Sequence, residues 1–203
     1  MWLARCVMAA FLSIAAVVGP AGAEGDAEAF TRRVVDRAFA ITGSEALSSH
    51  EKHQQFEALV GEAFDTEGAG PFLLGSYWIS AHPRERRAFR SAFGAAISDV
   101  YMDRLYLYPG QKFVIDGHRS NGDELVVESR LTANGGRPDT RVHWHLVKRH
   151  GAFRIIDIVF DGESVNSELR REYLSVVRRH DGQLGALVDS MARQHKLSIE
   201  AEC

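Results

Sequence analysis

The stretch QKFVIDGHRSNGDELVVESRLTANGGRPDTRVHWHLVKRHGAFRIIDIVF, residues 111–160, decides the fold. Apolar residues here recur at every second position, the period at which a strand presents one face. Phe113 and Ile115 alternate with polar neighbours, and so do Leu125, Val127 and Leu131. Val142, Trp144 and Leu146 follow, and then Phe153, Ile155 and Val159. Asn121-Gly122, Asn134-Gly135-Gly136 and His150-Gly151 separate the runs with turn formers. Four consecutive strands joined by tight turns make an antiparallel meander. Residues 154–160 are apolar on both faces, which suits a central strand.

On either side the period is helical. Phe30, Val34, Ala38 and Ile41 form one stripe over 27–41, and Phe56, Leu59, Val60 and Phe64 another over 50–64. PFLLGSYW at 71–78 reads as a short, mostly buried helix after a Gly-rich turn. Pro83 suits a first helical position, with Ser80 ahead as a candidate cap and Glu85 in the first turn. That helix carries Phe89, Phe93, Ile97, Val100 or Tyr101, and Leu105, and Pro109-Gly110 ends it. Val165, Leu169, Tyr173 and Val176 mark a helix over 164–179, with Ser164 as its cap, and Leu184, Leu187, Val188 and Met191 mark a last one. Helices, four strands and more helices, with no repeat or linker, specify one α+β domain: a curved antiparallel sheet of four strands or slightly more, covered by N- and C-terminal helices.

The N-terminus is expected to be removed. Arg5, the apolar run VMAAFLSIAAVV at 7–18 and the small residues Ala21-Gly22-Ala23 form a signal peptide over 1–23. The run is short of the ~20 apolar residues of a bilayer span. The domain then covers 24–203 and works outside the cytoplasm. Cys6 leaves with the leader and Cys203 is the last residue, so no intramolecular disulfide is expected. The full sequence carries a net charge of −3, which gives no general reason to bind nucleic acid. Arginine clusters at 84, 86, 87 and 90 and at 170, 171, 178 and 179 read first as solvated helix faces, and otherwise as contacts for lipid headgroups or an acidic partner.

Reaction chemistry is sparse. His143 and His145 share one strand face with the spacing of a zinc pair, but alternation turns them outward and no third ligand completes a site. Asp157 interrupts the apolar Phe153–Val159 face. A buried carboxylate needs donors, so it reads as a structural acceptor, with a general base in a cone-shaped pocket as the alternative. No phosphate loop, nucleophile elbow or triad spacing appears, and neither a metal nor another cofactor is expected. A large apolar inventory with little chemistry favours binding over catalysis.

Four pieces of the chain resemble the MlaC-type periplasmic lipid carriers, the toluene-tolerance auxiliary family: FEALVGEAFD at 56–65, GPFLLGSYW at 70–78, PRERRAFRSAFGAAISDVYMDRLYLY at 83–108, and FRIIDIVFDGESVNSELRREYLSVVRRHDGQLGALVDSM at 153–191. Phe64-Asp65, Gly75-Ser76-Tyr77-Trp78, and Phe153, Asp157, Gly162 and Ser164 match the family pattern. The family more often has Trp where Phe153 stands, and Glu-Gly-Val-Ser where Asp161-Gly162-Glu163-Ser164 stands. A hopanoid-associated branch also exists.

The resemblance implies a non-enzymatic carrier that moves phospholipid, or hopanoid, across the periplasm. Its implied partners are an inner-membrane ABC transporter complex and an outer-membrane lipoprotein complex, and it is expected to act as a monomer. The acyl-chain cavity is expected between the inner sheet face and the helices around 72–78 and 89–105. Its candidate lining is Phe72, Leu73, Leu74, Tyr77, Trp78, Phe89, Phe93, Ile97, Tyr101, Leu105, Phe113, Ile115, Leu125, Val127, Val142, Trp144 and Leu146. An enzyme using Asp157 and a ligand-free envelope module are the competing expectations.

Overall fold

The computed structural model describes residues 21–108, 111–132 and 138–201. Five helices come first: α1 (Ala21–Thr42), α2 (Ser49–Ala63), α3 (Ala69–Leu74), α4 (Ser76–Ser80) and α5 (Pro83–Tyr106). Strands β1 (Lys112–Asn121), β2 (Glu124–Thr132), β3 (Thr140–Arg149), β4 (Ala152–Phe160) and the two-residue β5 (Glu163–Ser164) follow, then α6 (Val165–Arg179) and α7 (Leu184–Ala201). The strands pair in sequence order as one antiparallel sheet. The α+β meander expected from the sequence is therefore the fold, with β5 as a short addition at the edge. The expected leader falls mostly on 1–20, and the Pro109-Gly110 stop, the Asn134–Gly136 turn and Cys203 also lie outside the described residues.

Local chemistry sets the boundaries. Ser48 caps α2 in a reciprocal capping box with Glu51. At α5 the cap is His82 and not Ser80: the His82 ring accepts from the Arg84 amide, and Glu85 reaches back to the His82 N–H at 2.7 Å. Ser80 Oγ instead donates to the Ser76 carbonyl at 3.2 Å, a bond within its own helix. The single helix expected over 71–78 is two, because Gly75 at φ 55° breaks it, in a region that glycine reaches without steric cost. The β3–β4 hairpin turns through His150 and Gly151 at φ 51° and 81°, the signs required by a two-residue primed turn.

The expected inward residues keep their phase except in β4, although β1 also carries an extra residue, Asp116, between Ile115 and Gly117. In β4, His145 pairs with Asp157 and Leu146 with Ile155, leaving Ile156 as an extra, bulged residue. Phe153 and Ile155 face the helices as expected, but beyond the bulge Ile158 and Phe160 take the inward positions and Val159 does not. Asp157 consequently leaves the apolar face and points with His145 to the other side of the sheet. An extra residue inverts every later side chain, since the strand period is two.

The helices cover the sheet in two groups. α1, α2 and the C-terminal half of α5 lie over β1–β4. α5 packs along α7, and its N-terminal half also meets α4 and α6 through aromatic side chains: Phe89 stacks on Phe93 at 5.7 Å and both rings meet the edge of Tyr173. Trp78 closes this second layer, edge-on to Phe89 at 5.8 Å, and its ring lies against Gly70, where an added Cβ would come within 2.5 Å of indole carbons. Gly94 of α5 has open space at the same position. Gly70→Ala should therefore lower stability by ~1–3 kcal/mol through overpacking, whereas Gly94→Ala should raise it by ~0.5–1 kcal/mol by removing backbone freedom from the unfolded chain. Thermal and urea unfolding of the two variants check the opposite signs.

Candidate functional site

Between the sheet and the first helix group lies a cavity with an apolar lining and a volume of about 50 Å3. Val34, Val35, Ala38 and Phe39 wall it from α1, and Phe56, Leu59, Val60 and the following Phe64 wall it from α2. Tyr101 and Leu105 of α5 close one side. Phe113, Leu131, Val142, Trp144, Ile158 and Phe160 form the sheet floor. Three- and four-residue spacing on the helices and alternation on the strands aim these side chains at one volume.

The polar atoms of the wall are satisfied locally. Trp144 Nε1 donates to Ser129 Oγ at 2.9 Å, and that hydroxyl donates to the Val142 carbonyl at 2.8 Å. Ser129 is thus a buried serine that lets an indole face hydrocarbon without an orphan N–H. Phe113 meets the Trp144 edge at 5.9 Å, and Phe64 packs on Tyr101 at 4.9 Å. Burial, followed by the nearby Asp157 charge, holds the Tyr101 phenol far above its ordinary value, so it contributes a neutral ring.

Of the residues expected from the sequence to line a cavity, the structure brings Tyr101, Leu105, Phe113, Val142 and Trp144 together here. Ile97 and Phe93 border a much smaller cleft beside Phe64 and Tyr101. Leu125, Val127, Leu146 and Ile115 pack in the core near the floor. Leu73, Leu74, Trp78, Phe89 and Phe93 belong to the second layer, Tyr77 is half-buried beside it, and Phe72 is exposed. The helical part of the wall is built from α1, α2 and the end of α5; of the two helical regions expected, 89–105 contributes Tyr101 and Leu105, and 72–78 contributes no lining residue. Val34, Phe56, Leu59 and Val60 lie on the helical stripes of the sequence; the signal for the cavity is in their periodicity, but periodicity does not distinguish a cavity wall from a packed face.

Asp157 lies outside this cavity. On the opposite sheet face it accepts from Ser164 Oγ at 2.5 Å and from the Asn166 N–H at 3.1 Å, while Ser164 Oγ caps the Ser167 amide at 3.0 Å. The Asn166 side chain donates to the Ile156 carbonyl. This is the structural role: the carboxylate ties the start of α6 to the bulged strand. The pocket-base alternative places Asp157 outside the apolar cavity, in a separate cleft of about 300 Å3 on that side with Glu124, His145, Arg149 and Asn166. His145 shares that side and bonds Glu124, so it is half-buried and partnered instead of free at the surface. Among the described residues, no group of three His, Cys, Asp or Glu side chains is placed to hold a metal ion. No helix among them is long and apolar enough to cross a membrane.

A family model described as MlaC protein matches residues 32–193. The chain belongs to the MlaC protein family. The intermembrane phospholipid transport system binding protein MlaC of Haemophilus influenzae is 27% identical over 117 residues, 56% of this chain and 55% of that protein. The chain thus spans about half the length of that curated relative. The phospholipid-binding protein from Ralstonia solanacearum, solved in complex with a phospholipid, matches in fold with a TM-score of 0.69 at 20% identity, over 85% of this chain and 98% of that one.

Asp157 carries a measurable signature. Burial pushes its carboxyl above the ordinary 3.8, outweighing the opposing bonds from Ser164 and Asn166. A raised folded-state value means that protonation favours the fold: this stabilisation is complete below pH 3.8 and lost as pH rises through the raised value. Asp157→Asn should abolish that dependence. Urea unfolding from acid to neutral pH should show the stability difference, wild type minus Asp157→Asn, falling as pH rises; a constant difference contradicts a raised carboxyl.

Proposed function

We propose that this protein is a carrier that takes phospholipid acyl chains into the cavity beneath α1 and α2 and moves them, without chemical change, between membranes. The observation that carries this is a hydrocarbon-walled cavity between helices and sheet in a chain of the MlaC family. The two acyl chains of a phospholipid hold about 30 methylenes at ~0.8 kcal/mol each, so bare water opposes their exit from a bilayer by ~20 kcal/mol. Shelter from water is all that such a step requires. With an export leader over 1–23, the carrier works in the periplasm between an outer-membrane lipoprotein complex and an inner-membrane ABC transporter complex, as a monomer. A hopanoid is the alternative cargo, since rings and chains are equally served by an apolar wall.

The volume makes a further demand. Ligand pockets hold ~300–1,000 Å3, several times the roughly 50 Å3 between these walls. Loading an acyl chain therefore requires α1 and α2 to move away from the sheet floor. The walls that must part are helical, held by side-chain packing; the floor is a hydrogen-bonded sheet and stays.

Organic extraction of protein purified from the periplasm should yield stoichiometric lipid. Ala38→Trp or Val142→Trp, which fill the cavity from opposite walls, should cut the co-purified lipid by about half or more. An indole overfills the roughly 50 Å3 gap, so both variants should also melt below delipidated wild type, at an overpacking cost of ~1–3 kcal/mol; stripping matters because bound ligand raises apparent stability. Leu73→Trp, in the second packing layer, should likewise cost ~1–3 kcal/mol of stability, but the folded fraction should keep its lipid. A clean wild-type extract, or lipid unchanged in both cavity variants, refutes the carrier reading for this cavity.

A further inference from the structure

The break at Gly75 leaves α4 with its apolar side chains on opposite faces. Trp78 is buried, but Ile79 projects with 77% of its surface exposed, and Phe72 on α3 is 49% exposed. Arginines surround both. The Arg86 guanidinium lies over the Trp78 ring at 5.5 Å and donates to the Ile79 carbonyl at 2.8 Å. Arg90 covers the same ring at 5.2 Å, and Arg170 of α6 lies over Phe72 at 5.4 Å. Arg84 and Arg87 are exposed on the first turns of α5, three residues apart and three before Arg90, so they extend the cluster along the helix. Glu85, the acid in their midst, is committed to the cap at the His82 amide. A chain with a net charge of −3 therefore carries a concentrated positive patch with an aliphatic tip at its centre.

We infer that the α3–α4–α5 corner is a docking surface for an anionic phospholipid bilayer. Ring stacking holds three guanidiniums in fixed positions, where planar forks match phosphate oxygens two at a time. An aliphatic side chain that projects from the surface has no rigid counterpart to fill, and it fits the soft boundary of headgroups and acyl chains, where amphipathic elements settle ~5–10 Å deep. Attraction of each arginine to an anionic leaflet adds to the apolar term and fades beyond a Debye length. This surface is separate from the cavity, and its role goes beyond the carrier reading without depending on it.

The test uses purified full-length protein in cosedimentation with vesicles of phosphatidylcholine mixed with phosphatidylglycerol, and with phosphatidylcholine alone. Binding should favour the anionic vesicles and weaken with salt. Arg84→Glu with Arg87→Glu should reduce the affinity by about tenfold or more, and Ile79→Ser should reduce it while leaving the salt dependence in place. Arg119→Glu with Arg141→Glu, the same charge change made on the sheet, should have little effect. All these side chains are solvated, so melting temperatures check that each variant is folded, and co-purified lipid scored on the same samples should not change. No preference for anionic vesicles, or patch variants that bind as wild type does, overturns the proposal. So does loss of binding to membrane-complex proteins with vesicle binding intact, which would assign the patch to an acidic protein face.

Discussion

One extra residue in one strand, Ile156, sets the arrangement around the site. Without it, β4 would carry Asp157 and Val159 toward the helices and place a carboxylate in a hydrocarbon wall. With it, Ile155, Ile158 and Phe160 face inward, and Asp157 meets its donors from Ser164 and Asn166 on the far side. The same strand receives the end of α2: the Asp65 amide donates to the Ile155 carbonyl at 2.9 Å, and Phe64 forms a parallel bridge with Ile155. The bulged segment thus joins α2, the sheet and α6. A bulge is costly in ladder bonds, and it persists here because it removes a larger cost, a carboxylate buried without partners.

The cavity reflects a compromise between two packing demands. A close-packed core is the stable state of hydrocarbon side chains, and the second layer around Phe89, Phe93, Trp78 and Tyr173 meets that standard with ring-to-ring contacts. Under α1 and α2 the contacts are also apolar, but the walls enclose a gap. A buried gap forfeits dispersion contacts along its lining. Ser129 limits the damage by occupying the one polar group of the Trp144 indole, so the floor presents hydrocarbon and no unpaired indole donor. Two layers of similar composition thereby differ in packing: one is closed by ring contacts, and the other encloses an apolar gap.

Charge is arranged by the same logic of local neutralisation. On the sheet, arginines meet carboxylates, as in Arg119 with Glu128 and Arg130 with Asp116. At the α3–α4–α5 corner they meet aromatic faces instead. Stacking on a ring holds a guanidinium in place but leaves its charge uncompensated. Arg32 over Phe113 and Arg104 over Phe160 show the same contact singly; the clustering of three at the corner, and not the net charge of the chain, sets it apart.

The sequence by itself determined the class of the fold, because a switch of period from 3.6 to 2 and back is a local property that survives in any packing. It also determined the cap at Ser164 and the need of Asp157 for donors, since both follow from the residue's own chemistry. The four pieces that resemble MlaC-type carriers pointed to the family that the chain belongs to. The tertiary structure alone decided which apolar stripes face a cavity: α1, α2 and the Phe72–Trp78 region are all amphipathic, and only their placement on the sheet separates wall from core. It alone decided the phase of β4 as well, because Ile155, Ile156 and Ile158 make both faces apolar and hide the bulge from an alternation pattern. His82 took the cap from Ser80 for a similar reason, as a capping ring nitrogen is recognised by where Pro83 starts the helix and not by residue type. Periodicity reports that a side chain is buried; what it is buried against is a property of the whole chain.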